Sequence, residues 1–138
     1  MPTGAQNVPK ALVLYIIWFA LTAGLFVYQF VLGGGFLTGA NALPQGYGFP
    51  IPLIGVEVAA AAVVRWAVIP RLKGPSRILV ALVIGMALSE SAELFGIFLI
   101  PRGMPQTKMA VFYLAVVSAF QFLPTYVLSD DPPRLDPG

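Results

Sequence analysis

The residues of this chain best suited to chemistry are three glutamates that stand inside long apolar runs. Glu90 and Glu93 belong to the stretch GMALSESAELFGIFLI, and Glu57 belongs to IGVEVAAAAVV. Residues three apart on a helix lie on one face, so Glu90 and Glu93 would be neighbours. An ionised carboxylate at the centre of a bilayer costs at least ~2.5–3.5 kcal/mol. Each of these groups is therefore expected to hold a proton or a cation.

The chain lacks the residues that most other kinds of catalysis need. The chain has no Cys and no His, which removes disulfides, thiolate and imidazole metal sites, haem-ligating histidine, and Cys or Ser-His nucleophiles. The lysines at 10, 73 and 108 are expected in loops or tails, which argues against a buried Schiff-base lysine. We therefore expect neither an enzyme nor a metal or organic cofactor, and only H⁺ or Na⁺ as a bound species.

The composition is that of an integral membrane protein. Hydrophobic residues make up 58% of the chain and charged residues 10%, and the mean hydropathy is +0.84, which leaves little surface suited to water. The net charge of +2 comes from loop residues, so it indicates orientation against anionic lipid and not nucleic-acid binding. We expect a multi-pass protein of a bacterial inner (cytoplasmic) membrane.

Four segments are long enough to span a bilayer, which needs about 20 apolar residues. They predict an all-α, four-helix transmembrane bundle that forms a single domain over residues 1–138, of which residues 129–138 are a flexible tail. Pro124 falls inside the fourth segment and predicts a kink, tolerated where a neighbouring helix binds the freed carbonyl. The four predicted helices are 11–32, 51–69, 78–100 and 109–128.

The distribution of basic residues predicts the orientation. Arg71, Lys73 and Arg77 lie in the link between the second and third helices, and Lys10 precedes the first helix. The loop after the first helix has no basic residue, and the loop after the third has two. The positive-inside rule then places both termini and the middle link in the cytoplasm.

Counting residues from the middle of the same link predicts the depth of each carboxylate in the membrane. Glu57 and Glu90 are equally far along the chain from the middle of the hairpin, so they are expected to face each other at one level, with Glu93 one turn nearer the outer surface. The ion-binding residues predicted on this basis are Glu57, Glu90, Ser91 and Glu93. The alternative is that Glu90 and Glu93 are protonated and only hold helices together, through hydrogen bonds to Ser89, Ser91, Gln29 or Gln121.

Two rows of small residues accompany the acids. Helix three carries Gly85, Ser89, Ala92 and Gly96, and helix two carries Gly55, Ala59 and Ala62. Such rows let helix backbones approach closely. They are consistent with packing inside one bundle or between subunits. Together with the thin bundle they predict a homo-oligomer, of which a ring is one form, or a place in a larger membrane complex.

The hairpin 55–100 resembles subunit c, the proteolipid of rotary ATP synthases. The resemblance is carried by a Gly, a run of small residues, Glu90 followed by Ser91, and Phe95, and by the polar link RLKGPSR. It implies that Glu90 binds H⁺ or Na⁺ and that Glu57 lies near a polar ligand position of sodium-type rings. The stretch GVEVAAAAVV lacks the Gly-x-Gly repeat of that family, and Arg65 and Glu93 have no counterpart in it. The chain is thus expected to be a four-helix, proteolipid-like membrane protein.

Two functions are consistent with this sequence. The first is an ion-handling protein whose intramembrane carboxylates bind or relay H⁺ or Na⁺. The second is a non-catalytic structural or accessory subunit that packs against itself, lipid or a larger complex.

Overall fold

The computed structural model describes residues 7–42 and 50–127, and within them all regular structure is helical. The predicted tail 129–138 lies outside these residues. The elements are α1 (Asn7–Val31), α2 (Pro50–Val63) with a π-helical turn (Val64–Val68) and a 3₁₀ turn (Ile69–Arg71), α3 (Pro75–Leu99), α4 (Pro105–Phe120) and a final 3₁₀ turn (Pro124–Val127).

Three of these helical segments are long and apolar enough to cross a membrane. They are Ala11–Val31, Pro50–Arg71 and Pro75–Leu99. α4 has 16 residues, which is about 24 Å at 1.5 Å per residue and shorter than a ~30 Å hydrocarbon core. The all-helical class is confirmed, and three of the four predicted spans have the length of a transmembrane helix.

The fourth predicted helix was placed too late in the chain and made too long. It begins at Pro105, a proline suited to the first helical turn, and it ends at Phe120 instead of continuing with a kink. Pro124 has no N–H to donate, so a helix through this point leaves carbonyls without partners. Side chains of two other helices bind carbonyls here: Trp18 Nε1 donates to Ala119 O at 2.9 Å and Arg65 Nε donates to Gln121 O at 2.6 Å.

The link between α2 and α3 is tight. Gly74 has a φ of +93°, a left-handed conformation that glycine adopts without steric cost. Pro75 then starts α3 in the first-turn position that tolerates proline. The chain therefore reverses direction within Leu72–Gly74 and sets α2 and α3 side by side.

α3 is the central helix of the bundle. It contacts α1, α2 and α4, whereas the described residues of α1 and α2 have no Cα atoms within 8 Å of each other. The apolar core forms two clusters. The larger contains Leu25, Ala61 and Met86, and the smaller contains Ile54 and Ala92.

The loop after α1 folds over the start of α4. Asn41 Oδ1 accepts hydrogen bonds from the backbone N–H groups of Gln106 at 3.1 Å and Thr107 at 3.4 Å. Asn41 Nδ2 also donates to Thr107 Oγ1 at 2.9 Å. A residue distant in sequence thus supplies the cap that the first turn of α4 needs.

Candidate functional site

The sequence placed Glu57 and Glu90 at one depth, and the two core clusters agree with this. Along α2, Glu57 lies between Ile54 of the smaller cluster and Ala61 of the larger. Along α3, Glu90 lies between Met86 of the larger cluster and Ala92 of the smaller. Glu90 therefore stands at the boundary between the two clusters, and Glu57 lies within one turn of it, between Ile54 and Val58 of the smaller cluster. Both carboxylates are half-buried.

The side chain of Glu90 also approaches α1. Glu90 Oε1 lies 3.8 Å from the point where a Cβ on Gly24 would stand, so the Glu90 side chain is directed at α1. Glu57 belongs to α2, whose described residues have no Cα atom within 8 Å of a Cα atom of α1. Distance from the hairpin turn determines depth along a helix and leaves its rotation open, so the facing of Glu57 and Glu90 stays a prediction.

Glu93 is the most buried of the three acids. Its side chain is 1% exposed, and in the described part of the chain neither carboxyl oxygen has a hydrogen-bond partner. Glu93 lies one turn beyond Glu90 on α3, near enough for the two carboxylates to repel each other when charged. Among residues 7–42 and 50–127, no three acids come together as a group that could hold a metal ion. The structure thus brings two of the predicted carboxylates together, and Glu57 lies apart from them.

The polar side chains expected to bind the acids have other partners. Ser89 Oγ lies 2.8 Å from Ser118 Oγ of α4, and Gln121 Nε2 donates to the same Ser118 oxygen at 3.2 Å. Trp66 Nε1 of the π-helical turn donates to Gln121 Oε1 at 3.1 Å. These four side chains form a hydrogen-bonded chain, called here the Ser89–Trp66 chain, that joins α2, α3 and α4 without a carboxylate.

The two remaining proposed partners also leave the acids unbound. Gln29 of α1 is buried and donates to the carbonyl of Gly35 in the following loop. Ser91, the additional ion ligand predicted from sequence, is half-buried and makes no side-chain hydrogen bond within the described residues. None of the hydrogen bonds on which the helix-holding interpretation depended is present in the described part of the chain.

The row of small residues on α3 packs against α4 of the same chain. A Cβ on Gly85 would stand 2.1 Å from the ring of Phe122, and one on Gly96 would stand 2.6 Å from Val111. Ser89 and Ala92 of the same row are fully buried. The interpretation in which this row packs inside one bundle therefore describes the structure.

The row on α2 has a different environment. A Cβ on Gly55 would meet no atom within 4 Å among the described residues, Ala59 is exposed, and Ala62 is half-buried. The two rows look alike in sequence, but they differ in whether a neighbouring helix covers them.

Lys108 was expected in a loop and is instead a buried part of the fold. It lies in the first turn of α4, is 8% exposed, and its Nζ donates to Ile97 O near the end of α3 at 2.8 Å. Burial lowers the pKa of the Lys108 ammonium group, and the nearby positive charge of Arg102 lowers it further. The proline at position 105, which favours a helix start, was the sequence signal that could have placed this lysine in a helix.

No family model, curated protein or solved structure matches this chain. The resemblance of the hairpin 55–100 to proteolipid subunits stays a prediction from the sequence.

Proposed function

We propose that this chain is a small multi-pass membrane protein that binds or relays H⁺ or Na⁺ at a pair of carboxylates, Glu93 and Glu90 of α3. Glu93 is the buried binding group, and Glu90 is the more accessible group one turn away. The proposal includes a bacterial inner membrane as its location and a cytoplasmic position for both termini, as the basic residues of the α2–α3 link favour.

The unpartnered carboxyl group of Glu93 is the observation that carries this proposal. A buried polar group without a hydrogen bond costs about 1–3 kcal/mol, and a buried unpaired charge costs more. A proton removes the charge, and a monovalent cation balances it with oxygen ligands. A group buried at such a cost, in a helix of transmembrane length, is more easily explained by exchange of a bound ion than by packing.

Glu90 gives the pair its asymmetry. Its side chain is half-buried, whereas that of Glu93 is almost completely buried. Gly24 of α1 has no side chain to fill the space beside the Glu90 carboxylate. Glu90 is therefore suited to receive an ion from outside the core and pass it to Glu93. Ser91, adjacent to Glu90, is proposed as an additional oxygen ligand.

Carbodiimide labelling tests the proposal, because this reagent modifies protonated carboxyl groups in apolar surroundings. Wild-type protein in mild detergent should be labelled on α3, and Na⁺ or high pH should slow the reaction. Glu93→Gln should abolish the labelling and any Na⁺-dependent thermal shift, while retaining the size and neutral hydrogen-bonding capacity of the side chain.

Glu57→Gln is the matched control. It removes another half-buried carboxylate, on α2, and leaves the pair on α3 intact. It should leave labelling and the Na⁺ response unchanged. Wild-type protein that shows no labelling, no Na⁺ response and no pH response would exclude ion handling by these acids.

The second candidate is a structural or accessory subunit. It is favoured by the Ser89–Trp66 chain, which holds three helices together, and by the uncovered row at Gly55 and Ala59, which another subunit of a homo-oligomer or larger complex could cover. Association of detergent-extracted protein that Glu93→Gln leaves unchanged, with no response to ions, would support this function instead.

A further inference from the structure

A cavity of about 490 Å³ lies between the loop after α1 and the link from α3 to α4. Arg102 and Lys108 line it, and no acidic residue does so in the described part of the chain. Its other walls include the apolar side chains of Leu32, Leu37 and Phe98. The cavity therefore combines two cations with an apolar surface.

The Lys108 ammonium group is built into the fold and still has capacity to bind. An ammonium group has three N–H donors, and Ile97 O accepts one of them at 2.8 Å. The carbonyls at the end of α3 favour a cation at this position through the helix dipole. Two N–H groups of a side chain that is more than nine-tenths buried thus remain for a ligand.

The position of the cavity indicates which anions it would meet. It lies where α1 and α3, two helices of transmembrane length, both end, which is the level of the lipid headgroups in a bilayer. Phe98 at its edge is 67% exposed and Leu32 is 50% exposed. Apolar side chains beside two cations match a phospholipid, whose phosphate is joined to acyl chains.

We propose that this cavity binds a phosphate group through Lys108 and Arg102, either the phosphate of a phospholipid headgroup or a free phosphate ion. Arg102 can contribute a two-pronged hydrogen-bonded contact and Lys108 a compact charge. Burial lowers the pKa of Lys108 and the positive charge of Arg102 lowers it further, and the negative charge of a bound phosphate would oppose the effect of Arg102. The site is separate from the carboxylates on α3, so it does not depend on their function.

Thermal unfolding in detergent tests the site with three probes: phosphatidylglycerol, diacylglycerol with the same acyl chains, and inorganic phosphate. Phosphatidylglycerol should raise the unfolding midpoint more than diacylglycerol does. Arg102→Gln and Lys108→Gln should each weaken its apparent affinity about tenfold, as expected for the loss of one charge-assisted contact. Lys73→Gln makes the same charge change in the exposed α2–α3 link and should have no effect.

The outcomes distinguish the source of the phosphate. A shift with phosphatidylglycerol that inorganic phosphate does not reproduce identifies a lipid, and a saturable shift with inorganic phosphate alone identifies the free ion. Arg102 is exposed, so Arg102→Gln keeps the test valid if Lys108→Gln does not fold. A shift that both variants leave intact, or that diacylglycerol reproduces, would overturn the proposal, as would the absence of any shift.

Discussion

The hydroxyl oxygens of Ser89 and Ser118 lie 2.8 Å apart in the buried contact between α3 and α4. This hydrogen bond uses a serine next to Glu90 without involving either carboxylate of α3. It separates two roles that the sequence alone could not separate, because a pair of hydroxyl groups joins α3 to α4 while the carboxyl group of Glu93 has no hydrogen bond to the described residues.

Ser118→Ala should therefore lower stability by about 0.5–1.5 kcal/mol, the usual net contribution of one hydrogen bond. Unfolding of purified protein in mixed detergent micelles measures this. Ser89→Ala should cost a similar amount, and the double variant should cost less than the sum of the two, because both remove the same bond. Ser91 is half-buried and makes no such bond in the described part of the chain, so Ser91→Ala should leave the free energy of unfolding nearly unchanged. Fully additive losses would mean that the two hydroxyls are not coupled.

Glu93→Met should raise stability by about 1–3 kcal/mol, because it replaces a buried carboxyl group that has no hydrogen bond by an apolar side chain of similar size. The midpoint of thermal unfolding in the absence of Na⁺ measures the effect. Glu90→Met should have a smaller effect, since Glu90 is only half-buried. A clear loss of stability in Glu93→Met would show that the carboxyl group supports the fold, and would favour the structural function.

Gly85→Leu and Gly96→Leu should each destabilise the single chain severely, by several kcal/mol. Even a Cβ alone would stand 2.1 Å from Phe122 at position 85 and 2.6 Å from Val111 at position 96. Gly55→Leu is the matched control, because a Cβ there meets no described atom within 4 Å. It should leave the thermal midpoint of the monomer nearly unchanged.

The same Gly55→Leu variant tests the predicted homo-oligomer. A homo-oligomer that buries the α2 row should lose subunits when a large side chain enters that surface. The mass of the particle in mild detergent, measured by light scattering, reports this directly. An oligomer with unchanged mass in Gly55→Leu would place its interface on another surface of the chain.

The proposed orientation is tested by cysteine labelling in intact cells. A Cys at Ala40, in the exposed loop after α1, should react with an impermeant maleimide from outside, and a Cys at Ser76, at the exposed start of α3, should not. Ala40 is preferable to Asn41, since Asn41 caps α4. The reverse labelling pattern would invert the topology.

Stability should also depend on pH through Lys108. In the folded chain the pKa of this lysine is lower than its ordinary value of 10.5. At pH values between the folded-state pKa and 10.5, the unfolded chain therefore binds a proton at this lysine that the folded chain does not. The free energy of unfolding should therefore rise with pH across that window. Lys108→Met should remove this rise, whereas Lys73→Met, in the exposed link, should retain it. Identical pH profiles for wild type and Lys108→Met would contradict the expectation.

Depth along the helices could be derived from sequence, and rotation could not. Counting from the hairpin turn placed Glu57 and Glu90 at one level, as the two core clusters agree. Which way Glu90 points depends on contacts of α3 with α1, and no local pattern encodes them. Likewise Gly55 and Gly85 belong to similar rows of small residues, and only the presence of Phe122 beside Gly85 distinguishes a buried row from an uncovered one.

The length of α4 was mispredicted for a related reason. Hydropathy continues through Pro124, so an apolar run alone predicts a span to residue 128. Around the end of the helix at Phe120, Ala119 O accepts from both Phe122 N–H and Trp18 Nε1, and Gln121 O accepts from Arg65 Nε. A similar long-range contact, from Lys108 to Ile97 O, buries a lysine that its sequence neighbours place in a loop.

The carbonyl contacts at the end of α4 also bear on the order of assembly during synthesis. Trp18 and Arg65, which donate to Ala119 O and Gln121 O, both leave the ribosome before α4 does. α4 is too short to be a stable span alone, so it should leave the insertion machinery only when α1 to α3 are already in the membrane. Loss of either donor should then make α4 of newly made protein easier to cleave with added protease, before any change in the finished protein is seen.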